Sequence, residues 1–230
     1  MKRKLVCLIL ARKNSRRLPS KHLKDLGSKR LISWTCDFAN KIKGVHRIIL
    51  STDDNKILNI YKNSKIITIK RPDRYSRDNS TSAEAAIHAI NWYEKKFDLI
   101  DDVILLQPTS PYRKLSNIYR GIKKFYKYKN VPTISVHKSV FVFNKSFIFK
   151  KIAGLNMLTK PSSKQESSNK KINYMANGNF YIISKKDLIN NKTFIVPIMM
   201  PIILSSKAER IDIDTFEDLK MAEKFLKYYE

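Results

Sequence analysis

Short apolar runs and longer amphipathic stretches alternate along the first 137 positions. Leu5–Ala11 is continuously apolar and predicts a strand buried on both faces. The stretch Arg12–Lys29 is polar and basic and predicts a loop. Leu31, Trp34, Phe38 and Ile42 then recur at helical spacing, with Gly44 as the stop signal. Arg47–Leu50 predicts a second strand running into Ser51-Thr52-Asp53-Asp54, followed by a short helix over Asn55–Lys62 and a strand over Ile66–Ile69. Thr81-Ser82-Ala83-Glu84 is a capping box, so a helix starts there and continues to about Lys96. A fourth strand, Val103–Leu106, leads into Gln107-Pro108-Thr109-Ser110-Pro111, a helix over Ser116–Lys127 and a strand over Thr133–Val136.

This alternation implies an α/β fold, a parallel sheet with helices on both faces. Ligands in such sheets bind beyond the carboxyl ends of the strands, where the loops beginning at Arg12, Ser51 and Gln107 all lie. The pattern changes after His137. Ser139–Lys151 alternates aromatic and apolar residues as an antiparallel hairpin or arm would, and Lys160–Lys171 is polar and lysine-rich, a mobile loop by composition. Phe180–Ile183 returns to strand character, and Ile211-Asp212-Ile213-Asp214 leads into a final amphipathic helix carrying Phe216, Leu219, Phe225 and Leu226. A core of residues 1–137 and 173–230, with an inserted arm at 138–172, follows from this division.

Composition narrows the reading. A chain of 230 residues with 43 % hydrophobic content suits one globular α/β domain. Cys7 and Cys36 both fall in apolar segments, which predicts buried thiols in a reducing compartment, the cytoplasm. No CxxC pair and no clustered histidines mark a zinc site. No apolar run reaches membrane-spanning length. The net charge of +26 raises nucleic acid and anionic surfaces as partners. The lysines, however, are dispersed through the predicted helices, and no stripe of alternating basic and aromatic residues stands out. The expectation is compositional bias plus an anionic small substrate, with no specific nucleic acid and no membrane partner.

Three groups of residues carry candidate chemistry. Arg12, Lys13, Arg16, Arg17, Lys21 and Lys24 fall within thirteen residues that contain no acid. Arginine pairs its donors on phosphate oxygens and lysine acts as a point charge, so the loop reads as a phosphate grip or as a plain solvated basic loop. It is not a Walker A loop, because GxxxxGK[ST] is absent. Asp212 and Asp214 point the same way if extended, and two carboxylates make a seat for Mg²⁺; for Asp214, capping of the following helix is the plain alternative. Gln107 offers a side-chain amide that can read a base or a sugar hydroxyl, on a turn that prolines alone would also explain. Ser82 opens the capping-box helix, Arg71 precedes it on a loop, and His88 inside it reads as structural.

Ile9-Leu10-Ala11-Arg12-Lys13-Asn14-Ser15-Arg16-Arg17-Leu18-Pro19-Ser20-Lys21-His22 resembles the signature loop of the acylneuraminate cytidylyltransferases, or CMP-sialic acid synthetases. The resemblance continues through Ser51–Asp54, Arg71-Pro72, Asp78 to Ser82, Leu105–Pro111, Asn177-Gly178 with Tyr181, and Ile211–Thr215, in order along nearly the whole chain. It implies a Rossmann-like nucleotidyltransferase fold and a Mg²⁺-dependent reaction in which an acidic sugar attacks the α-phosphate of CTP and pyrophosphate leaves. By the same resemblance Leu10, Arg12, Ser15, Arg16, Lys21, His22, Arg71 and Ser82 hold the nucleotide. Gln107, Asn177 and Tyr181 face the sugar, and Asp212 and Asp214 hold the metal. Arg12, Lys21 and Asp212 carry catalysis. The resemblance further implies a homodimer, with the arm near 138–172 reaching the partner's site.

The chain departs from the family pattern in four places. His22 stands where Asn is usual, Arg17 replaces a common Gly, Met175-Ala176 stand where Arg-Pro is usual, and a further arginine near 164–167 has at best Lys164 in its place. The nucleotide half therefore reads as intact and the sugar half as altered. That points to a modified nonulosonic acid, of legionaminic or pseudaminic type, with an eight-carbon acid (the Kdo-type reaction) and a nucleic-acid-binding module as the competing readings.

Overall fold

The computed structural model describes residues 3–139, 146–161 and 173–229. Strand β1 (Leu5–Ala11) leads to a small hairpin, β2 (Asp25–Leu26) and β3 (Lys29–Arg30), and then α1 (Leu31–Asn40). Next come β4 (Arg47–Thr52), α2 (Asn55–Tyr61), β5 (Ile67–Lys70), α3 (Ser82–Glu94), β6 (Asp102–Leu106), α4 (Leu115–Lys127) and β7 (Thr133–Ser139). The later half contributes β8 (Ile148–Ile152), β9 (Leu155–Thr159), β10 (Asn173–Ser184), α5 (Lys185–Asn191), β11 (Ile198–Ile203) and α6 (Phe216–Glu223).

Nine strands form one sheet in the order β5, β4, β1, β6, β10, β7, β11, β9, β8. Among them only β10 and β9 run against the common direction, so the expected mostly parallel sheet is present. β1 shows why it is covered twice. Val6 and Leu8 enter one core with Ala86, Ile90 and Tyr93 of α3, while Cys7 and Ile9 enter another with Ile32 and Cys36 of α1 and Phe125 of α4. Each buried aliphatic side chain contributes about 1.5–3 kcal/mol relative to exposure, so both faces of the strand hold it in place. Both thiols are buried, and burial raises the pKa of each, as expected of inert core cysteines.

Two elements are longer or differently placed than the pattern predicts. The strand expected at Phe180–Ile183 is the far end of β10, whose twelve residues cross between β6 and β7 with a bulge between Ala176 and Tyr181. A hairpin is present but lies later than the expected Ser139–Lys151, of which residues 140–145 fall outside the described residues: it turns at Ala153 and Gly154, both at positive φ, and its strand β9 pairs with β11, so it extends the central sheet. Lys164 and most of the Lys160–Lys171 stretch lie outside the described residues.

Candidate active site

The carboxyl ends of β1, β5 and β6, the start of α3 and the segment before α6 surround a cavity of about 370 Å³. Leu10, Arg12, Lys21, His22, Arg71, Ser82, Gln107, Asp212 and Asp214 line it, so nine of the residues singled out in the sequence meet in one place. Ser15, Arg16, Asn177 and Tyr181 are not part of its lining. Tyr75, Arg77, Asp78 and Thr109 are, although the sequence reading gave them no role in the site.

The basic loop leaves β1 at Ala11 and is tied at both ends. The Lys13 backbone N–H donates to Asp53 Oδ1 at 2.8 Å, and Lys21–Leu23 form a 3₁₀ turn behind Ser20, which sits in the left-handed region. Within its own thirteen residues the loop has no acid, but the fold brings two. Arg12 Nη1 lies 3.3 Å from Asp78 Oδ1, and Arg16 pairs with the same carboxylate. Lys21 Nζ lies 2.6 Å from Asp214 Oδ1 and 3.3 Å from the Ile213 carbonyl, and Arg17 pairs with the other oxygen of Asp214. Four cations that look uncompensated in the sequence are thus held by two aspartates far along the chain, up to 197 residues away.

His22 and Arg71 form the inner wall. His22 is only 5 % exposed; burial first, then the charges of Lys21, Arg71 and Arg12, push its pKa down to about 3. It is a neutral imidazole at any physiological pH, and its Nδ1 has no partner among the described residues. Arg71 is 4 % exposed and spends Nε on Ser51 Oγ (3.1 Å) and Nη2 on the Ser51 carbonyl (2.5 Å). Burial pulls its pKa down to about 10, so it keeps its charge at neutral pH. Ser82 opens α3, where Thr81 and Glu84 cap each other reciprocally as the sequence pattern predicts.

Gln107 is positioned from behind by glycine and arginine. Gly178 has φ +71°, and a Cβ there would lie 2.5 Å from Gln107 Oε1 and 2.8 Å from Ser110 Oγ. Only glycine permits both the backbone and the contact. Asn177 accepts from Ser135 Oγ at 2.7 Å through its side chain, and from Ser110 Oγ at 2.9 Å through its carbonyl, so it buttresses the bulge. Tyr181 is buried in the core against Phe194, and burial raises its pKa, with the charge of Asp212 adding to the shift. Arg113 went unnoticed in the sequence. It is 4 % exposed and donates to the carbonyls of Gln107 (2.6 Å) and Asn179 (2.9 Å) and to Thr35 Oγ1 (2.9 Å). Burial pulls its pKa down to about 9, still leaving a cation. No local signal marks it, because its partners, two backbone carbonyls and one threonine hydroxyl, come from three separate parts of the chain.

Asp212 and Asp214 stand on the remaining side. Asp212 is open to the water of the cavity, yet the surrounding walls remove enough bulk solvent to raise its pKa; its bond with Thr109 opposes this and the charge of Asp214 reinforces it. For Asp214, burial works against the charge, but Lys21 and then Arg17 outweigh it and the net pKa is lowered. Thr215, not Asp214, caps α6, with Asp218 completing a capping box. Asp214 is thereby free of the capping role that the sequence allowed it. Two carboxylates beside a basic loop form an all-oxygen donor set of the kind that suits Mg²⁺, which keeps water or phosphate in its other positions. Among the described residues no cluster of three or more His, Cys, Asp or Glu forms a protein-only cage.

Comparisons with known proteins agree with this geometry. The profile of the family described as "Cytidylyltransferase" matches residues 6–229. The chain is 30 % identical over 227 residues to the CMP-N,N'-diacetyllegionaminic acid synthase of Legionella pneumophila, covering 97 % of this chain and 96 % of that one. It is 27 % identical over 228 residues to the N-acylneuraminate cytidylyltransferase of Escherichia coli, covering 96 % of this chain and 52 % of that longer protein. Among solved structures, a CMP:2-keto-3-deoxy-manno-octonic acid synthetase complexed with CTP superposes with a TM-score of 0.71 over 99 % of this chain and 100 % of that one. At 14 % identity that likeness speaks for the fold alone.

Proposed function

From the premise that this chain belongs to the cytidylyltransferase family, we propose that its cavity joins CTP to a nine-carbon acidic sugar of legionaminic type, giving a CMP-sugar and pyrophosphate. The observation that carries the reading is the meeting of Arg12, Lys21, Asp212 and Asp214 around one cavity, with neutral His22 and buried Arg71 behind them. A phosphate grip and a carboxylate pair are the parts that phosphoryl transfer needs, since its catalysis is mainly positioning and charge stabilisation. The full-length similarity to the legionaminic acid synthase favours that sugar class, and the neutral Met175 on the sugar side fits an altered sugar.

In this reading Arg12 and Lys21 hold the phosphates, with Arg16 reaching in from the rim and Ser15 close by on the same loop. Arg71 and Ser82 hold the cytidine with Leu10 and His22, and Gln107 faces the sugar. Asn177 and Tyr181 act on the sugar side through the bulge they support. The anomeric hydroxyl oxygen bonds to the α-phosphorus as the bond to the bridging oxygen breaks. The hydroxyl proton passes to Asp212, which lines the cavity beside Asp214. Mg²⁺ held by Asp212 and Asp214 would supply charge neutralisation on the phosphate oxygens. With Asp214 turned to that ion, Lys21 and Arg17, which now pair with it, would be available to the triphosphate.

The reading extends to a cytoplasmic homodimer. Its support is the pair of buried free thiols and the position of β8 as the outermost strand of the sheet among the described residues. Pyrophosphate release, measured with CTP and a panel of acidic sugars, tests the activity. Release is expected with legionaminic-type acids and not with eight-carbon acids. No release with any nine-carbon acid would refute the proposal.

A further inference from the structure

Between Val103 and Gln165 the chain has thirteen lysines and arginines and not one aspartate or glutamate. These 63 residues carry half of the net charge of +26. The structure places the helical part of this stretch on the surface. α4 buries Ile118, Gly121 and Phe125 against the sheet and exposes Arg120, Lys123 and Lys127 on its outer face, with Lys114 exposed at its N-cap. Tyr119 and Tyr126 lie on the same side, each 37 % exposed.

The cations of this face have no carboxylate at ion-pair distance among the described residues. Arg120 and Lys124 donate only to the carbonyls of Ile203 (3.0 Å) and Pro201 (3.4 Å). Burial, and then repulsion from Arg120, lowers the pKa of Lys124. Glu209, whose field reaches Lys114 and Arg120, is itself buried, with its carboxylate bonded to Asn117.

The turn before β4 adds to the same surface. The Lys43 backbone N–H donates to Tyr119 Oη at 2.9 Å, and Tyr126 Oη donates to Asp102, whose charge Arg3 already holds by two bonds. Between the two tyrosines lies a recess of about 320 Å³ lined by Leu5, Gly44 and Ile122, with Arg3 and Lys43 at its rim. It sits at the amino end of β1, whereas the CTP cavity begins at Leu10 near the other end.

We propose that the outer face of α4, with Lys43 and its turn, docks the protein on an anionic lipid bilayer. A basic helix face with amphipathic rings and an apolar recess matches the charge and depth of a headgroup layer, where each nearby cation adds to binding. The tyrosine hydroxyls are tied inward, and the cations spread over a 13-residue helix face, an arrangement suited to a plane of charge. A single nucleic-acid strand would call for a groove with rings free to stack.

Sedimentation with phosphatidylcholine vesicles, with and without about 30 % phosphatidylglycerol at about 0.15 M salt, is the test. The wild type is expected to sediment at least about tenfold more with the anionic vesicles, and less as salt rises. Changing Lys43, Lys123 and Lys127 together to glutamate is expected to remove at least about tenfold of that binding, with CTP-dependent turnover and melting temperature kept. Should the triple change unfold the chain, the milder Lys123→Gln, Lys127→Gln pair should weaken binding about threefold or more. Wild-type protein that stays in the supernatant, variants that bind as before, or DNA that displaces bound vesicles at the same salt would each overturn the proposal. None of these outcomes depends on which sugar the enzyme uses.

Discussion

The loop Arg12–Lys24 and the helix α4 are both basic and acid-free in sequence, yet the fold treats them oppositely. The loop meets Asp78 and Asp214, which hold four of its cations around the cavity. The outer face of α4 meets no carboxylate at ion-pair distance among the described residues, and Arg120 and Lys124 rest on carbonyls. The difference teaches what each region is suited to. Cations paired on partly exposed carboxylates give up little when they exchange them for a small polyanion. Cations left unpaired on an open helix face add their fields over a wide area instead.

The sharpest way to break the comparison is at the carboxylates. Asp212→Asn is expected to lower turnover about a thousandfold or more in a pyrophosphate-release assay while the protein stays folded. Activity near that of the wild type would remove Asp212 from the chemistry. Next in size, Lys21→Ala should weaken CTP binding by about tenfold to a hundredfold, since it removes a charge-assisted contact and leaves Asp214 short of a partner. Lys124→Ala, one of the unpaired cations, should leave the CTP titration unchanged. Equal losses from the two would mean that the cavity does not distinguish the two regions.

His22→Asn probes the inner wall through pH. With a folded pKa of about 3 against an ordinary 6.5, the neutral imidazole gives its full stability above pH 6.5. That stability is lost as pH falls towards 3, because the unfolded chain takes up the proton first. At pH 5 the loss is about 2 kcal/mol, at 1.36 kcal/mol per unit. Denaturant unfolding at pH 7.5 and pH 5 should therefore show less acid destabilisation in the asparagine variant than in the wild type. The smallest expected effect is at Asp78. Its carboxylate is half exposed, and Asp78→Asn should tighten tripolyphosphate binding about twofold to fivefold at low salt by releasing Arg12 and Arg16. Weaker binding would show that Asp78 positions the arginines instead of competing for them.

The alternation of apolar runs with amphipathic stretches, and the polar loops that end the runs, determined the parallel part of the sheet and its ligand edge. Of the nine singled-out residues that line the cavity, Arg12, Lys21, Gln107, Asp212 and Asp214 stand out by residue type and loop position, whereas Leu10 and His22 came only through the family resemblance. Proline inside Ile198–Ile203 disguises β11, since that residue argues against a strand until a neighbour's position shows which N–H groups are needed. Only the tertiary structure decided which cations are paired. Asp78 and Asp214 reach the basic loop from as far as 197 residues away, Arg113 is recognisable only once Gln107, Asn179 and Thr35 surround it, and Gly178 is required because its φ is positive and Gln107 and Ser110 lie against it. Charge is written in the sequence, but its compensation is a matter of distance and burial. Those exist only when the chain has folded.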